Sequence, residues 1–491
     1  MCHIRGKLFS LQSGRTGTMG VMQTSEFDLP GLLALQRQAH AADPAPSEAT
    51  RRDRLQRLGA LLDQHAERFV AQISHDFGTR SASEITLAEL VPVRSAIRHA
   101  RQHLRAWMRS RRVATGWLFL PGRSRLLRQP LGVVGIVSPW NYPLLLALSP
   151  LVDVLAAGNR ALLKPSELTP RFAEGLKVAV AEFFAPDEVT VLTGDALLGQ
   201  AFCAQPFDHL VFTGSTAVGR LVAQAAAKNL TPVTLELGGK SPVIVDASCD
   251  LGKTLDRLAW GKLINAGQTC IAPDYALVPR AMVPSFVEAL RNSILRLYPA
   301  FQGNPDYTSI ASDRHLARLQ ALLADARQQG ATVVNLEEIA PLGTGRQMSP
   351  VLLLGVHSGM RVLQEEIFGP VLPIVPYDTL EEAIAFVNGR DKPLALYWFG
   401  RNTAHRDQVL AQTQSGGVST NDTLVHLAQD GLPFGGVGPS GQGHYHGEWG
   451  FRRFSLEKPV FVQSRWSGGG LVYPPYTPRI QKLLRWLGRR H

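Results

Sequence analysis

An α/β protein with two successive parallel-sheet units is predicted by three features of the sequence. Short apolar runs rich in β-branched residues recur from residue 132 onward, apolar helix-period segments separate them, and 491 residues leave room for two or more sizeable cores. Strands that are apolar throughout, rather than alternating, need cover on both faces, which helices flanking a parallel sheet provide.

Residues 1–26 are basic and lack a continuous apolar core of roughly 7 to 15 residues, so they read as a disordered leader rather than a signal peptide, with Met19 or Met22 as alternative starts. From Glu48 to about Arg112 the pattern is helical: Leu55, Leu58, Leu62, Phe69 and Ile73 recur at three-, four- and seven-residue steps between charged residues. After "LPGRSRLLRQP", strands are expected at 132–138, 160–164, 189–192, 209–214 and 242–246, with helices such as "LLALSPLVDVLAAG" and "RFAEGLKVAVAEFF" between them. A second series follows residue 270: strand "YALVP", helices from Val283 to Leu297 and from Asp313 to Gln329, then "ATVVN", "PVLPIVPY" and the helix "TLEEAIAFVN". The glycine-dense 432–447 reads as a structured turn region or a mobile loop, and "KPVFVQ" as an edge strand for packing or oligomerisation. At the end, Ile480, Leu483, Leu484 and Leu487 make one apolar helical face among basic residues. That helix is expected to pack on the protein's own surface, with peripheral contact to an anionic membrane as the less favoured reading.

Composition narrows the function. Net charge is +11, carried by arginine-rich helical faces such as "RRDRLQRL" and "WMRSRRV"; no nucleic-acid motif accompanies it, so a solvated basic surface is expected and no nucleic-acid partner. No uncharged apolar run reaches the roughly 18 to 20 residues of a membrane span. Four scattered cysteines without CxxC argue against a disulfide framework and against a zinc site, and place the chain in a reducing cytoplasm.

Several short stretches carry chemistry. "DHLVFTGSTAVGRLV" is strand, glycine turn, then helix, and puts Gly214, Ser215 and Gly219 where backbone amides at a helix N-terminus receive a phosphate; a plain strand-to-helix turn reads equally well. In "LLKPSELTP", Lys164 and Glu167 follow a strand's carboxyl end, where open α/β sheets bind ligands, although each alone also suits a helix start. Glu236 ends a strand and enters the double-glycine turn of "TLELGGKSP", where a backbone approaches a ligand closely. Cys270 sits 34 residues on among small neighbours in "NAGQTC", either a buried inert thiol or an accessible nucleophile. "SPWNYP" supplies Asn141 as an amide donor, and "QEEIFGPVLP" sets Glu366 and Phe368 before a Gly-Pro turn.

Taken in order, "PWNYP", "KPSE", "FTGST", "ELGGKSP", "NAGQTC", "EEIFGP" and "PFGGVGPSG" resemble the aldehyde dehydrogenase superfamily from about Phe27 to Val462. "CIAPDY", the "ND" at 421–422 and "GHYHG" are similar to its class 3 and coniferyl aldehyde dehydrogenase branch. The resemblance implies a Rossmann-type NAD(P)-binding domain over 27–236, with 113–130 as an arm to an oligomerisation sheet, and a catalytic α/β domain over 237–430. It further implies a return segment with an oligomerisation strand and basic tail over 431–491, and a homodimer. By the same resemblance Cys270 is the nucleophile, Asn141 and the Cys270 amide form the oxyanion hole, and Glu236 is the general base. Trp140, Lys164, Glu167, Gly214, Ser215, Gly219, Glu366 and Phe368 bind the cofactor, NAD with NADP admitted, and no metal takes part. The implied reaction oxidises an aromatic aldehyde such as coniferyl aldehyde, or a medium-chain aliphatic one, to the acid. A cofactor-free cysteine hydrolase is the alternative.

Overall fold

The computed structural model describes residues 28–337, 345–468, 470 and 473–489; the expected leader lies outside them. The helical region begins where Ser47 caps it: its Oγ accepts from the Thr50 amide at 3.1 Å. Helix Glu48–Phe77 buries Leu55, Leu58, Leu62, Phe69 and Ile73, the expected stripe. It stops at Gly78, whose φ of 86° is left-handed and suits glycine. The single reach to Arg112 read from the sequence is therefore divided. A second helix covers Val91–Met108, and Arg111–Val113 leaves it as a strand paired with Arg123–Pro130.

Six strands form the first sheet, in the order Gly441–Gln442, Val233–Glu236, His209–Thr213, Val133–Val137, Arg160–Lys164, Val189–Val191. All pair in parallel except the short Gly441–Gln442, which the return segment adds antiparallel beside Glu236. The chain runs outward from Val133–Val137 first to one side and then to the other. A topological switch point therefore lies between that strand and His209–Thr213, and its crevice opens at their carboxyl ends.

The second sheet has seven strands, in the order Thr332–Asn335, Val351–Leu354, Val371–Tyr377, Tyr275–Pro279, Pro242–Val245, Ala395–Phe399, Gly417–Thr420. Here too one edge, Thr332–Asn335, is antiparallel, so both sheets are mixed rather than purely parallel. Pro242–Val245, expected to continue the first series, belongs to this second sheet. Ala395–Phe399 and Gly417–Thr420 are absent from the sequence reading: the first is a short apolar run with no period to distinguish strand from helix, and the second has Val418 as its one large apolar side chain.

Strands Arg111–Val113, Arg123–Pro130 and Ser455–Val462 make a separate antiparallel sheet. The terminal helix forms at Pro478–Gly488, capped by Thr477, but it buries none of its residues. Of its apolar face, Ile480 and Leu487 are half-buried while Leu483 and Leu484 are exposed. Among the described residues no helix is long and apolar enough to cross a membrane.

A buried ion pair ties the helical region to the site. Arg80 and Glu89 are both fully buried, with Nη1 and Oε1 2.7 Å apart. Glu89 Oε2 accepts from the Leu144 and Leu145 amides at 2.8 and 3.1 Å, so it caps helix Pro143–Ala156. Arg80 also donates to the Asn141 carbonyl at 3.1 Å. Glu89→Leu removes one of the two carboxylates paired with the buried Arg80, leaving only Glu84 at 3.2 Å, and bares two helix amides, and is expected to cost about 3 kcal/mol. Thermal unfolding of the variant beside wild type measures it; an unchanged midpoint would show that the pair contributes nothing.

Candidate active site

The loop before Cys270 is wound in an unusual conformation. Asn265, Ala266 and Gly267 have φ of 52°, 51° and 76°, three left-handed residues in a row. Asparagine and glycine take that region readily; the alanine is strained there and is held by its surroundings. A side chain on Gly267 would meet the Gly369 carbonyl oxygen at 2.4 Å. Asn265 Nδ2 donates to the carbonyls of Asn141 and Gln268 at 2.8 and 3.1 Å. Gln268 is itself satisfied on both ends, donating to Asn265 and Ser309 carbonyls and accepting from the Ala311 amide.

This framework brings the expected nucleophile, donor and base together. Asn141 Nδ2 donates to the Gln268 carbonyl at 3.1 Å, which keeps its amide beside the cysteine loop. Burial pushes the Cys270 thiol up to about 12, the Glu366 and Glu236 carboxyls adding to the shift, while the amides of Cys270 and Ile271 oppose it. Glu236, at the carboxyl end of its strand, is buried, and neither of its carboxyl oxygens has a hydrogen-bond partner. Desolvation raises its pKa well above the usual carboxylate range, against the weaker pull of Arg453. An orphaned, desolvated carboxyl beside a thiol costs stability, and such groups concentrate where chemistry needs them.

Glu366 is the third acid of the group. Its Oε1 is buried without a partner, and desolvation, with Asp274 adding, raises its pKa to about 8. A side chain on Gly238 would lie 2.0 Å from Glu366 Oε2, so the double-glycine turn is what lets this carboxyl approach. Lys240, Asp274 and Arg318, which the sequence reading did not single out, fix the Glu366 loop. Lys240 pairs with Asp274 and donates to the Val362 and Glu365 carbonyls at 2.7 and 2.9 Å. Asp274 accepts from the Ile367 amide at 3.0 Å, and Arg318 donates to the Ile367 carbonyl at 2.8 Å.

The switch-point crevice is a cleft of about 1040 Å³ lined by Trp140, Gly214, Ser215, Glu236, Glu366 and Phe368 among others. Ser215 caps helix Thr216–Ala227, its Oγ accepting from the Val218 amide at 3.4 Å, so the helix N-terminus faces this cleft. Phe368 has a left-handed φ of 54° and meets Trp140 edge-on at 5.5 Å. The remaining expected cofactor residues do not line the cleft. Lys164 ends the strand paired with Val133–Val137, and it donates to Glu167 at 2.9 Å. Gly219 serves packing, since a side chain there would meet Leu237 at 2.5 Å.

On the other side of Cys270 lies a second, mostly apolar cavity of about 330 Å³, bounded by Tyr142, Leu145, Trp260, Leu424 and Phe434. Cys270 lines both spaces. Tyr142 is placed by a 2.7 Å hydrogen bond between its hydroxyl and Thr269 Oγ1. Residues 33–460 match the model of the aldehyde dehydrogenase family.

The chain belongs to the aldehyde dehydrogenase family.

Within that family it is 49% identical over 456 residues to a probable coniferyl aldehyde dehydrogenase of Pseudomonas aeruginosa, covering 93% of this chain and 95% of that one. A coniferyl aldehyde dehydrogenase of a Pseudomonas species is 44% identical, with 93% and 95% of the two chains covered. Among solved aldehyde dehydrogenases, a substrate-bound Staphylococcus aureus AldH superposes with a TM-score of 0.89 at 36% identity, over 93% of this chain and 99% of that one. A Mycobacterium tuberculosis aldehyde dehydrogenase in complex with NAD+ does so at 0.78 and 30%, over 89% of each. An aldehyde dehydrogenase must bring a carbonyl and a hydride acceptor to opposite sides of one sulfur, and two cavities that meet at Cys270 have that form.

Proposed function

We propose that this aldehyde dehydrogenase oxidises aromatic aldehydes of the coniferyl type to carboxylic acids, with NAD as the acceptor and NADP admitted. The meeting of an apolar cavity and a larger polar cleft at Cys270 supports this most directly. In this reading the thiolate of Cys270 adds to the aldehyde carbon from the apolar side and makes a tetrahedral thiohemiacetal. The second N–H of Asn141 and the Cys270 amide hold the oxyanion, each contributing about 2.7–4 kcal/mol. When bound, the dinucleotide supplies the acceptor for the hydride that leaves the same carbon. Glu236 then takes a proton from water, which cleaves the thioester and frees the acid.

The cleft's own residues fit a dinucleotide. Ser215 offers its amide at a helix N-terminus to the pyrophosphate, and Gly214, whose own amide donates to the Glu236 carbonyl at 3.0 Å, lets the ligand approach closely. The unpartnered Glu366 oxygen suits the nicotinamide ribose hydroxyls, with Phe368 and Trp140 beside the ring. Lys164 and Glu167 take the adenosine ribose, and the Glu167 carboxylate disfavours a 2′-phosphate. Gly219 contributes by close packing of the helix behind them.

We also assign residues 27–236 to the cofactor domain, 237–430 to the catalytic domain and 431–491 to the return segment. The exposed Leu456, Phe461 and Val462 of the three-stranded sheet support a homodimer. Free Cys203, Cys249 and Cys270 suit a reducing cytoplasm. Initial rates over a panel of aldehydes with NAD and with NADP test the function. Benzaldehyde- and cinnamaldehyde-type compounds with NAD are expected to give the highest kcat/KM; a preference for short hydrophilic semialdehydes would overturn the assignment.

A further inference from the structure

The apolar face of the terminal helix Pro478–Gly488 has little cover in this chain. Ile480, Leu483, Leu484 and Leu487 fall on one side at three- and four-residue steps, and no residue of the helix is buried. Packing on the protein's own surface would have buried these side chains; instead Ile480 and Leu487 are half-buried, and Leu483 and Leu484 are exposed. At roughly 100° per residue, Lys482, Arg485 and Arg489 stand on the opposite side, and all three are exposed. An 11-residue helix without tertiary packing is marginal in water, so this one gains stability when something apolar covers its leucines.

The charge around the helix is of one sign. No Asp or Glu follows Glu457, whereas Arg465, Arg479, Lys482, Arg485 and Arg489 do. Aromatic side chains lie among them, and Trp466, Tyr473, Tyr476 and Trp486 are all exposed. The chain enters this segment from Ser455–Val462, an edge strand of the three-stranded sheet. These features discriminate between occupants. A second copy of the chain brings its own net charge of +11 to a helix that is already basic. A nucleic acid neutralises the cations and leaves the leucines in water. An anionic lipid surface suits both sides: the leucines enter the acyl boundary, the cations meet headgroups, and tryptophan and tyrosine favour the depth between.

We infer that helix Pro478–Gly488 docks this protein on an anionic lipid surface, lying in the plane of the interface with its leucines inward and Lys482, Arg485 and Arg489 toward the headgroup phosphates. At 1.5 Å per residue the helix is about 16 Å long, roughly half the hydrocarbon core of a bilayer, so it lies along the surface and does not cross it. Attachment through one short basic helix is reversible and weakens as salt rises. Such docking does not depend on which aldehyde is oxidised.

Flotation of the full-length protein tests this, with vesicles of phosphatidylcholine and phosphatidylserine at a molar ratio of about 3:1 against phosphatidylcholine alone. Three variants accompany it: a chain ending at Thr477, Leu483→Ser with Leu484→Ser, and Lys482→Gln with Arg485→Gln and Arg489→Gln. None of these residues lines either cavity at Cys270, so dehydrogenase rates on a water-soluble aldehyde should match wild type and report intact folding. Wild type is expected to float with the anionic vesicles at least about tenfold more than with the neutral ones, and to lose that excess as salt rises from about 0.05 to 0.5 M. Each variant should lose most of it. Equal flotation of the full-length and shortened chains overturns the proposal, as does a charge variant that floats like wild type. No flotation of the full-length chain overturns it too. A larger assembly by light scattering, absent from the chain ending at Thr477, would then give the leucines to a second copy. Retention on a DNA duplex that only the charge variant loses would give the helix to nucleic acid.

Discussion

Cys270→Ala is expected to lower dehydrogenase turnover by at least ~10⁴-fold while the protein still folds and binds NAD. The loss follows from removing the atom that bonds the aldehyde carbon. The fold should survive because the loop is held by Asn265 and Gln268 through backbone carbonyls and amides, not through the sulfur. Dinucleotide binding should survive because the helix N-terminus at Ser215 and the Glu366 carboxyl are separate from it. NADH production and calorimetric titration with NAD on the same sample read both halves. Residual turnover above a few per cent of wild type would remove the covalent mechanism.

Glu236→Gln is expected to slow steady-state turnover by about 10²–10⁴-fold and to leave a rapid first turnover, seen as a burst of NADH on rapid mixing. The amide fits the same space, and since neither carboxyl oxygen has a hydrogen-bond partner, the replacement breaks no bond in the protein. The pH dependence follows from the direction of the shift. Desolvation raises the Glu236 pKa, so its base form is lost on acidification at a higher pH than for an ordinary carboxylate. Wild-type steady-state rates should therefore climb with pH from above the usual carboxylate range, and the glutamine variant should lack that limb in its slow phase. An unchanged steady-state rate in the variant would take Glu236 out of the mechanism.

The parts of this architecture that were readable beforehand are those with a local physical cause. The stripe from Leu55 to Ile73 and the apolar runs at 132–138 and 209–214 declare helix and strand through their own periods. The conspicuous residues of the site were readable as well, because glycine turns and the ordered motifs around Cys270, Glu236 and Glu366 mark places where backbone must come close to something. The left-handed run at 265–267 left a signal of its own in Asn and Gly, although the strain at Ala266 did not. Gly78 dividing one helical reach, and the antiparallel strands at two sheet edges, depend on how segments pair across the chain.

The sequence by itself determined the α/β class and the family, and it singled out the side chains proposed to carry the chemistry, since these reside in residue type, order and spacing. Only the tertiary structure decided what surrounds them. Arg80 and Glu89, nine positions apart, have no spacing that marks them as partners until folding buries them against Asn141 and the start of the Leu144 helix. Lys164 and Glu167 pair with each other, and Asp153 comes against residues 446 and 447 from the far end of the chain. Burial, orphaned hydrogen-bonding groups and the resulting pKa shifts arise from long-range contacts that remove water, and no local pattern in the sequence records which contacts those will be.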